Sequence, residues 1–282
     1  MKTVTDIMGV SRSRQYEKQQ ASLQKEKRFY CRKDDERYHL LIREIVDGRP
    51  TYGYRRVTAL LNRRLKGEGE AIVNHKRVYR IMKKHQLLLQ RHTGRPVRAH
   101  NGQVVMPVSN RRWCSDAFEI ACSNGERIRV AFSLDCCDRE VMSYVATTGG
   151  ISGDLIRDLM AESVEARFGL VDKVPHRIQW LSDNGPAYIA RETRCFAKMM
   201  GLEVCTTPYR SPESNGMAES FVKTFKRDYV QLYPLHDVGE VMAMIPNWFC
   251  DYNENHPHKG LKMMSPKEYR QNQTKLELCP VK

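Results

Sequence analysis

The apolar positions of this 282-residue chain change their period along its length. From Tyr38 to Val46, Leu41, Ile42, Ile45 and Val46 recur at helical spacing, and the pattern stops at Gly48-Arg49-Pro50. A second stripe follows Tyr52-Gly53-Tyr54-Arg55-Arg56-Val57 and uses Val57, Leu60 and Leu61. Asn74 suits the cap of a third helix over 75–86, in which Val78, Ile81 and Met82 turn inward. Residues 38–90 therefore read as a small all-α module. Past a linker at 91–111 containing Gly94, Pro96, Gly102 and Pro107, the pattern alternates. It predicts strands near 112–120, 127–135 and 141–148, a helix near 152–168, and a strand near 177–182. A helix near 188–200, a strand near 203–207 and a helix around Glu219 complete the set. Three antiparallel strands followed by two alternating units predict a mixed α/β sheet with flanking helices over 112–233. Residues 234–282 read as a helical extension: one helix over 238–252 despite Pro246, and another started by Ser265-Pro266. Residues 1–37, charged and poor in apolar positions, read as a loose or singly helical arm.

Carboxylates mark the candidate chemistry. Asp183 ends the apolar run Trp180-Leu181-Ser182 just before Asn184-Gly185, where a buried strand opens into a turn. Glu219 follows with 35 residues between. On a helical wheel Phe221, Val222, Phe225, Tyr229 and Leu232 share one sector, and Glu219, Lys223, Lys226 and Arg227 the opposite one. A carboxylate and a row of bases then lie on the exposed face of an anchored helix, a geometry suited to holding a metal ion beside a phosphodiester. Asp116, in Trp113-Cys114-Ser115-Asp116, is the third carboxylate; Asp135 and Asp138 compete for its place, and Glu213 competes with Glu219. Asp135 and Asp138 read as a hairpin turn with a local Asp-Arg pair, and Glu119 and Asp135 as structural. Mg²⁺ and Mn²⁺ are hard cations that prefer oxygen ligands. Two of them activate an attacking oxygen and stabilise the leaving one, so no protein nucleophile is needed.

Charge then points to a substrate. Of 47 Lys and Arg against 33 Asp and Glu, residues 1–108 hold 25 and 10, and the remainder 22 and 23. The whole excess belongs to the N-terminal part, as in a nucleic-acid-binding module joined to another domain. Lys76, Arg77, Arg80, Lys83 and Lys84 are expected outside the third helix, with Arg77, Arg80 and Lys84 on one line. Three short helices with a basic last one resemble a helix-turn-helix module, whose final helix enters the major groove. Arg55, Arg56, Lys76, Arg77, Arg80 and Lys84 are the expected DNA contacts there, and Lys223 and Lys226 beside the carboxylates. Nine cysteines without a Cys-x-x-Cys pair, and no signal segment, predict reduced thiols in the cytoplasm, on the nucleoid. His256 and His258 read as a loop feature, not a metal site, and no apolar run approaches membrane-spanning length.

Asp116, Asp183 and Glu219, with Lys226 seven residues beyond, resemble the DDE triad of transposases and retroviral integrases. The surrounding Trp113-Cys114-Ser115-Asp116, Ser182-Asp183-Asn184-Gly185, Ser211-Pro212-Glu213-Ser214-Asn215-Gly216 and Tyr252-Asn253-Glu254-Asn255-His256-Pro257-His258 resemble the OrfB transposases of bacterial insertion sequences, over roughly residues 40 to 270. The resemblance implies a ribonuclease-H-like fold, catalytic and metal-binding roles for Asp116, Asp183 and Glu219, and Mg²⁺ or Mn²⁺, two ions, as cofactor. The implied reaction is metal-dependent strand cleavage and strand transfer of insertion-sequence ends. The implied partners are DNA ends and target, further copies of the chain, and an upstream-frame protein or fused segment. The family's full product carries a further upstream helix-turn-helix and leucine zipper, which this chain does not clearly show, so a catalytic half is expected. A non-enzymatic DNA-binding inhibitor of transposition, and a nuclease that hydrolyses without joining, are the alternatives.

Overall fold

The computed structural model describes residues 32–90, 106–206 and 215–278. The predicted arm up to residue 31, most of the linker, and the loop with Glu213 lie outside the described residues. Three helices form on the predicted stripes: α1 (Asp35–Gly48), α2 (Tyr54–Gly67) and α3 (His75–Lys84). Ile42, Val57, Leu61, Leu65, Val78, Ile81 and Met82 close their common core. The Asn74 side chain caps α3 by accepting the Lys76 amide at 2.8 Å. Asn62 clamps the α2–α3 connection, its amide donating to Val73 O at 3.0 Å and its oxygen accepting from Val73 N at 2.8 Å.

Five strands follow: β1 (Arg112–Ala121), β2 (Arg127–Asp135), β3 (Val141–Thr147), β4 (Ile178–Ser182) and β5 (Leu202–Thr206), in the order β3-β2-β1-β4-β5. β2 is antiparallel to β1 and β3, whereas β4 runs parallel to β1 and β5 parallel to β4. Alternation along the strands feeds two cores, one on each face. Trp113, Ala131 and Trp180 pack on α4 (Gly153–Phe168), α5 (Pro186–Ile189) and α6 (Arg191–Met199). Phe118, Val130 and Phe132 pack on α7 (Gly216–Asp228) and α8 (Val238–Glu254). A last helix, α9, spans Pro266–Leu278. No helix among the described residues is long and apolar enough to cross a membrane.

The structure changes or extends four local expectations. The single helix expected over 188–200 is two, because Ala190 is extended (φ −52°, ψ 139°) and serves as C-cap of α5 and N-cap of α6. Thr193 bridges the break by donating to Ala187 O at 2.9 Å. Asp135 and Asp138 form no local pair with Arg139: both are buried against Arg167 of α4, at 3.5 and 3.0 Å. Burial, and then repulsion from Asp138, push the Asp135 carboxyl up to about 6. Tyr229 lies past the end of α7 yet packs in the core on Phe225, centroids 5.2 Å apart, and a charged residue not expected on the apolar sector, Asp228, is fully buried beside it. His256 and His258 lie in the loop after α8, as expected, but their side chains are buried there and held neutral by burial first and then by neighbouring positive charge.

These buried groups hold the helical module against the sheet domain. Arg56 donates to Asp228 Oδ2 at 2.9 Å, and Tyr52 OH bonds His256 Nδ1 at 2.8 Å. Arg49 forks onto the Asp251 carboxylate, donating to Oδ2 at 2.6 Å, and Tyr229 OH donates to the same oxygen at 2.8 Å. Arg63 donates to Asn255 O at 2.7 Å and pairs with Glu268 at 2.6 Å. Arg56 and Arg63 are seven apart on α2, so one face of that helix carries both contacts.

Candidate active site

The β1–β4 ladder ends at Cys114↔Leu181. Beyond that pair the parallel strands part, at the carboxyl ends where open α/β sheets place their ligands. Asp116 lies two residues past the last pair on β1, and Asp183 two residues past it on β4. Asp116 is half-buried and its Oδ1 accepts from the Ala117 amide at 2.8 Å. Asp183 is exposed in the predicted Asn-Gly turn, its Oδ1 accepting from Gly185 N at 3.0 Å. A Cβ on Gly185 would stand 3.0 Å from that oxygen, so a larger residue there would push against the Asp183 carboxylate.

Glu219 occupies the first turn of α7. That helix is anchored by Phe221 against Phe132 (centroids 4.4 Å) and Phe225 against Phe118 (5.6 Å), which leaves Glu219 half-exposed. Asp183 and Glu219 both bear on Asp116. Burial first, then repulsion from Asp183 and Glu219, hold the Asp116 carboxyl above the ordinary aspartate range against the pull of the Ala117 amide. An all-carboxylate set that repels itself is what a hard dication would relieve.

Around it, Lys223 pairs with Glu219 at 3.5 Å, and Lys226 holds its ammonium 5.7 Å from the centroid of the Phe118 ring. Glu119 is turned to Arg127 and Arg129 at 3.0 and 3.4 Å, away from any shared site with Asp116. In the module, Arg55, Lys76 and Lys84 are exposed. Arg77 and Arg80 are not on the outside as expected. Asp35, at the start of α1, accepts from Arg77 Nε at 2.7 Å and Arg80 Nη2 at 2.8 Å, drawing both side chains inward. Arg56 likewise faces Asp228 in the docking contact.

Sequence reasoning missed the residues behind the carboxylates. Ser115, fully buried, bonds Tyr188 OH through its Oγ at 2.9 Å, and its carbonyl accepts from Asn215 Nδ2 at 3.2 Å. Only their place beside the three acidic residues could have singled them out. Asp116, Asp183 and Glu219 do not bring their oxygens all within 4.8 Å of one another; the one group of metal-ligating type among the described residues that does so is Glu36, His39 and His85. Its imidazoles are stacked at 3.5 Å and 13°, so their in-plane lone pairs run in parallel planes and do not converge.

Residues 107–212 match the integrase core domain family, residues 200–266 a second integrase core domain family, and residues 32–95 the HTH-like domain family. Transposase InsD for insertion element IS2A/D/F/H/I/K of Escherichia coli is 50% identical over 238 residues, covering 84% of this chain and 79% of that protein. InsD for insertion element IS2 on the F plasmid of Escherichia coli strain K12 has the same identity and coverage. Among solved structures, the Mos1 transposase catalytic domain with raltegravir and Mg aligns at TM-score 0.45 and 17% identity, over 59% of this chain and 78% of that one. The catalytic core domain of BIV integrase aligns at TM-score 0.45 and 14% identity, over 60% and 99%.

Proposed function

The chain belongs to the InsD-type transposases of insertion element IS2, OrfB-type proteins with an integrase core, and on that premise we propose that Asp116, Asp183 and Glu219 are its catalytic, metal-binding residues. It is a DDE-type transposase whose ribonuclease-H-like mixed sheet is preceded by a helix-turn-helix-like helical domain. The observation that carries the residue assignment is the placement of Asp116 and Asp183, each two residues past the last β1–β4 pair, with Glu219 in the first turn of the helix packed on β1 and β2.

The donor set fits Mg²⁺ or Mn²⁺, since it is made of carboxylates with no thiol or imidazole among the three. When bound, a pair of such ions supplies activation of the attacking oxygen and stabilisation of the leaving oxygen in an in-line phosphoryl transfer. Water serves as nucleophile for cleavage and a DNA 3′-hydroxyl for joining, so the protein's part is placement. Asp116 and Asp183 hold their oxygens at the parting of β1 and β4, and Glu219 closes the site from α7. Lys226 and Lys223 rise from the same helix to meet the DNA backbone; Lys223 exchanges its contact with Glu219 for a phosphate.

End recognition is assigned to the helical module through Arg55, Lys76 and Lys84, whereas Arg56, Arg77 and Arg80 reach phosphate only by giving up carboxylate partners. Joining two element ends requires two such modules, and the described residues hold one, which favours an oligomer on DNA. An upstream-frame product, separate or fused, is the partner that the family resemblance implies.

The test is cleavage and joining of a labelled element end with Mg²⁺ or Mn²⁺, with the upstream segment added if the chain alone is silent. Asp183→Asn and Glu219→Gln keep size but remove ligand charge, and are expected to slow both steps by about three orders of magnitude while sparing duplex binding. Wild-type joining by Glu219→Gln would overturn the assignment. Cleavage without joining by the wild type would favour the hydrolytic nuclease.

A further inference from the structure

The ladder that holds β1 to β4 stops one residue short of Ser115. Past that point no strand pairing fixes Asp116 relative to Asp183, and Glu219 is on a separate helix. Ser115 takes over that task with two groups. Its Oγ meets Tyr188 OH at 2.9 Å, and Tyr188 stands on α5, five residues after Asp183. Its carbonyl accepts from Asn215 Nδ2 at 3.2 Å, and Asn215 is the N-cap position of α7, four residues before Glu219. All three side chains are buried.

Two details show that these contacts are not incidental. An asparagine at an N-cap ordinarily accepts from an amide of the helix it starts. Asn215 makes no such cap bond, because its side chain is turned to Ser115. The Tyr188 ring is packed in the sheet's inner core, so its hydroxyl is brought to Ser115 by a rigid lever.

We propose that Ser115, Tyr188 and Asn215 are positioning residues that bind the Asp116, Asp183 and Glu219 segments to one another behind the metal site. The proposal rests on the reading of those three carboxylates as the metal ligands. Groups that orient metal ligands without touching the metal commonly change affinity or activity by about 10- to 100-fold when removed.

The experiment measures Mn²⁺ affinity by calorimetry and end cleavage on the full chain, for Ser115→Ala, Tyr188→Phe and Asn215→Ala, with thermal unfolding alongside. Each is expected to weaken Mn²⁺ binding and to slow cleavage at limiting metal by about tenfold or more. Ser115→Ala and Tyr188→Phe break the same bond, so the double variant is expected to match the singles, and Ser115→Thr to restore binding. Ser133→Ala is the structural control. It removes a buried hydroxyl on the same face of the sheet, directly across from Ser115 in the β1–β2 register, that meets Ser163 of α4 at 2.6 Å in place of Tyr188 or Asn215, and is expected to lower stability without moving Mn²⁺ affinity. Wild-type Mn²⁺ affinity in Tyr188→Phe, which keeps the ring and its packing, overturns the proposal even if Asn215→Ala fails to fold. So does an equal loss in Ser133→Ala. Glu219→Gln separates the two levels: if it joins DNA like wild type, the triad reading fails and the positioning role falls with it. If it is inactive while the three variants behave as wild type, only the positioning role fails.

Discussion

Asp228 offers the sharpest test of how the helix-turn-helix-like module is held. Its carboxylate is fully buried at the end of α7 and accepts from Arg56 at 2.9 Å and from Arg227 through two contacts of 2.6 Å. Breaking a buried ion pair by neutralising one partner typically costs about 3–5 kcal/mol, because the other charge is left unpaired. In Asp228→Asn the stranded charges are Arg227, whose side chain is 49% exposed and can rehydrate, and Arg56, 23% exposed and less able to. The expected loss is therefore lower, about 2–4 kcal/mol. For a protein of this size that is a fall in Tm of about 5–12 °C. Arg56→Ala should lose a similar amount, and the double variant little more than either single, since both break one contact. Thermal unfolding of the full chain measures this, and the module is expected to melt separately once its anchor is gone. The same cycle decides what Arg56 is for. If it contacts DNA in place of docking, Arg56→Ala weakens DNA binding, Asp228→Asn leaves Tm within about 1 °C of wild type, and the docking argument fails.

Two further outcomes follow from the charges. Asp116 is held above its unfolded pKa, so ionising it works against the fold: that cost is absent below the unfolded value and complete above the folded one. Asp116→Asn is thus expected to raise the Tm of the metal-free protein at neutral pH, the gain shrinking as pH falls; carboxyl titration by NMR should move down in Asp183→Asn or Glu219→Gln, and an unmoved titration would mean that the carboxylates do not converge. In the module, Lys76→Ala is expected to lower duplex affinity and reduce the salt slope by about one, whereas Arg77→Ala should act mainly on stability, matched by Asp35→Asn. Equal salt slopes for Lys76→Ala and wild type would remove Lys76 from the DNA surface.

Much of this was legible in the chain because it is local. Asn74 caps the helix it precedes, and the strand runs fall within a residue or two of β1, β2 and β4. The Asn-Gly after Asp183 marks the turn that the structure contains. What was not legible is pairing at a distance. A helical wheel separates α3 into apolar and basic sides, but it cannot show that Asp35 on another helix draws Arg77 and Arg80 inward. The partners of Arg49, Tyr52 and Arg56 lie 202, 204 and 172 residues away, beyond any periodicity. One signal was present and unread. Asp228 follows Phe221 and Phe225 at i+7 and i+3 on the apolar stripe of α7, and a charge there is costly unless it is paired.

That misplaced charge also explains the character of the docking surface. Apolar contact alone is non-directional and would let the module settle in several orientations. Buried ion pairs add little net stability over well-packed apolar groups, but each is satisfied in one geometry only. Here Arg56 to Asp228, Arg49 to Asp251, Tyr52 to His256 and Arg63 to Glu268 must all be met at once. His256 remains neutral beside several guanidinium groups, so its ring can serve Tyr52 without adding a charge to be compensated. Asp228 is at one end of α7 and Glu219 in the first turn at the other, about 14 Å apart along the axis at about 1.5 Å per residue. The helix that supplies a proposed metal ligand is therefore the one on which the helix-turn-helix-like module is oriented. A loss of docking should disturb where DNA is presented to the carboxylates more than how the carboxylates are arranged, because Ser115, Tyr188 and Asn215 hold those from the opposite end of α7.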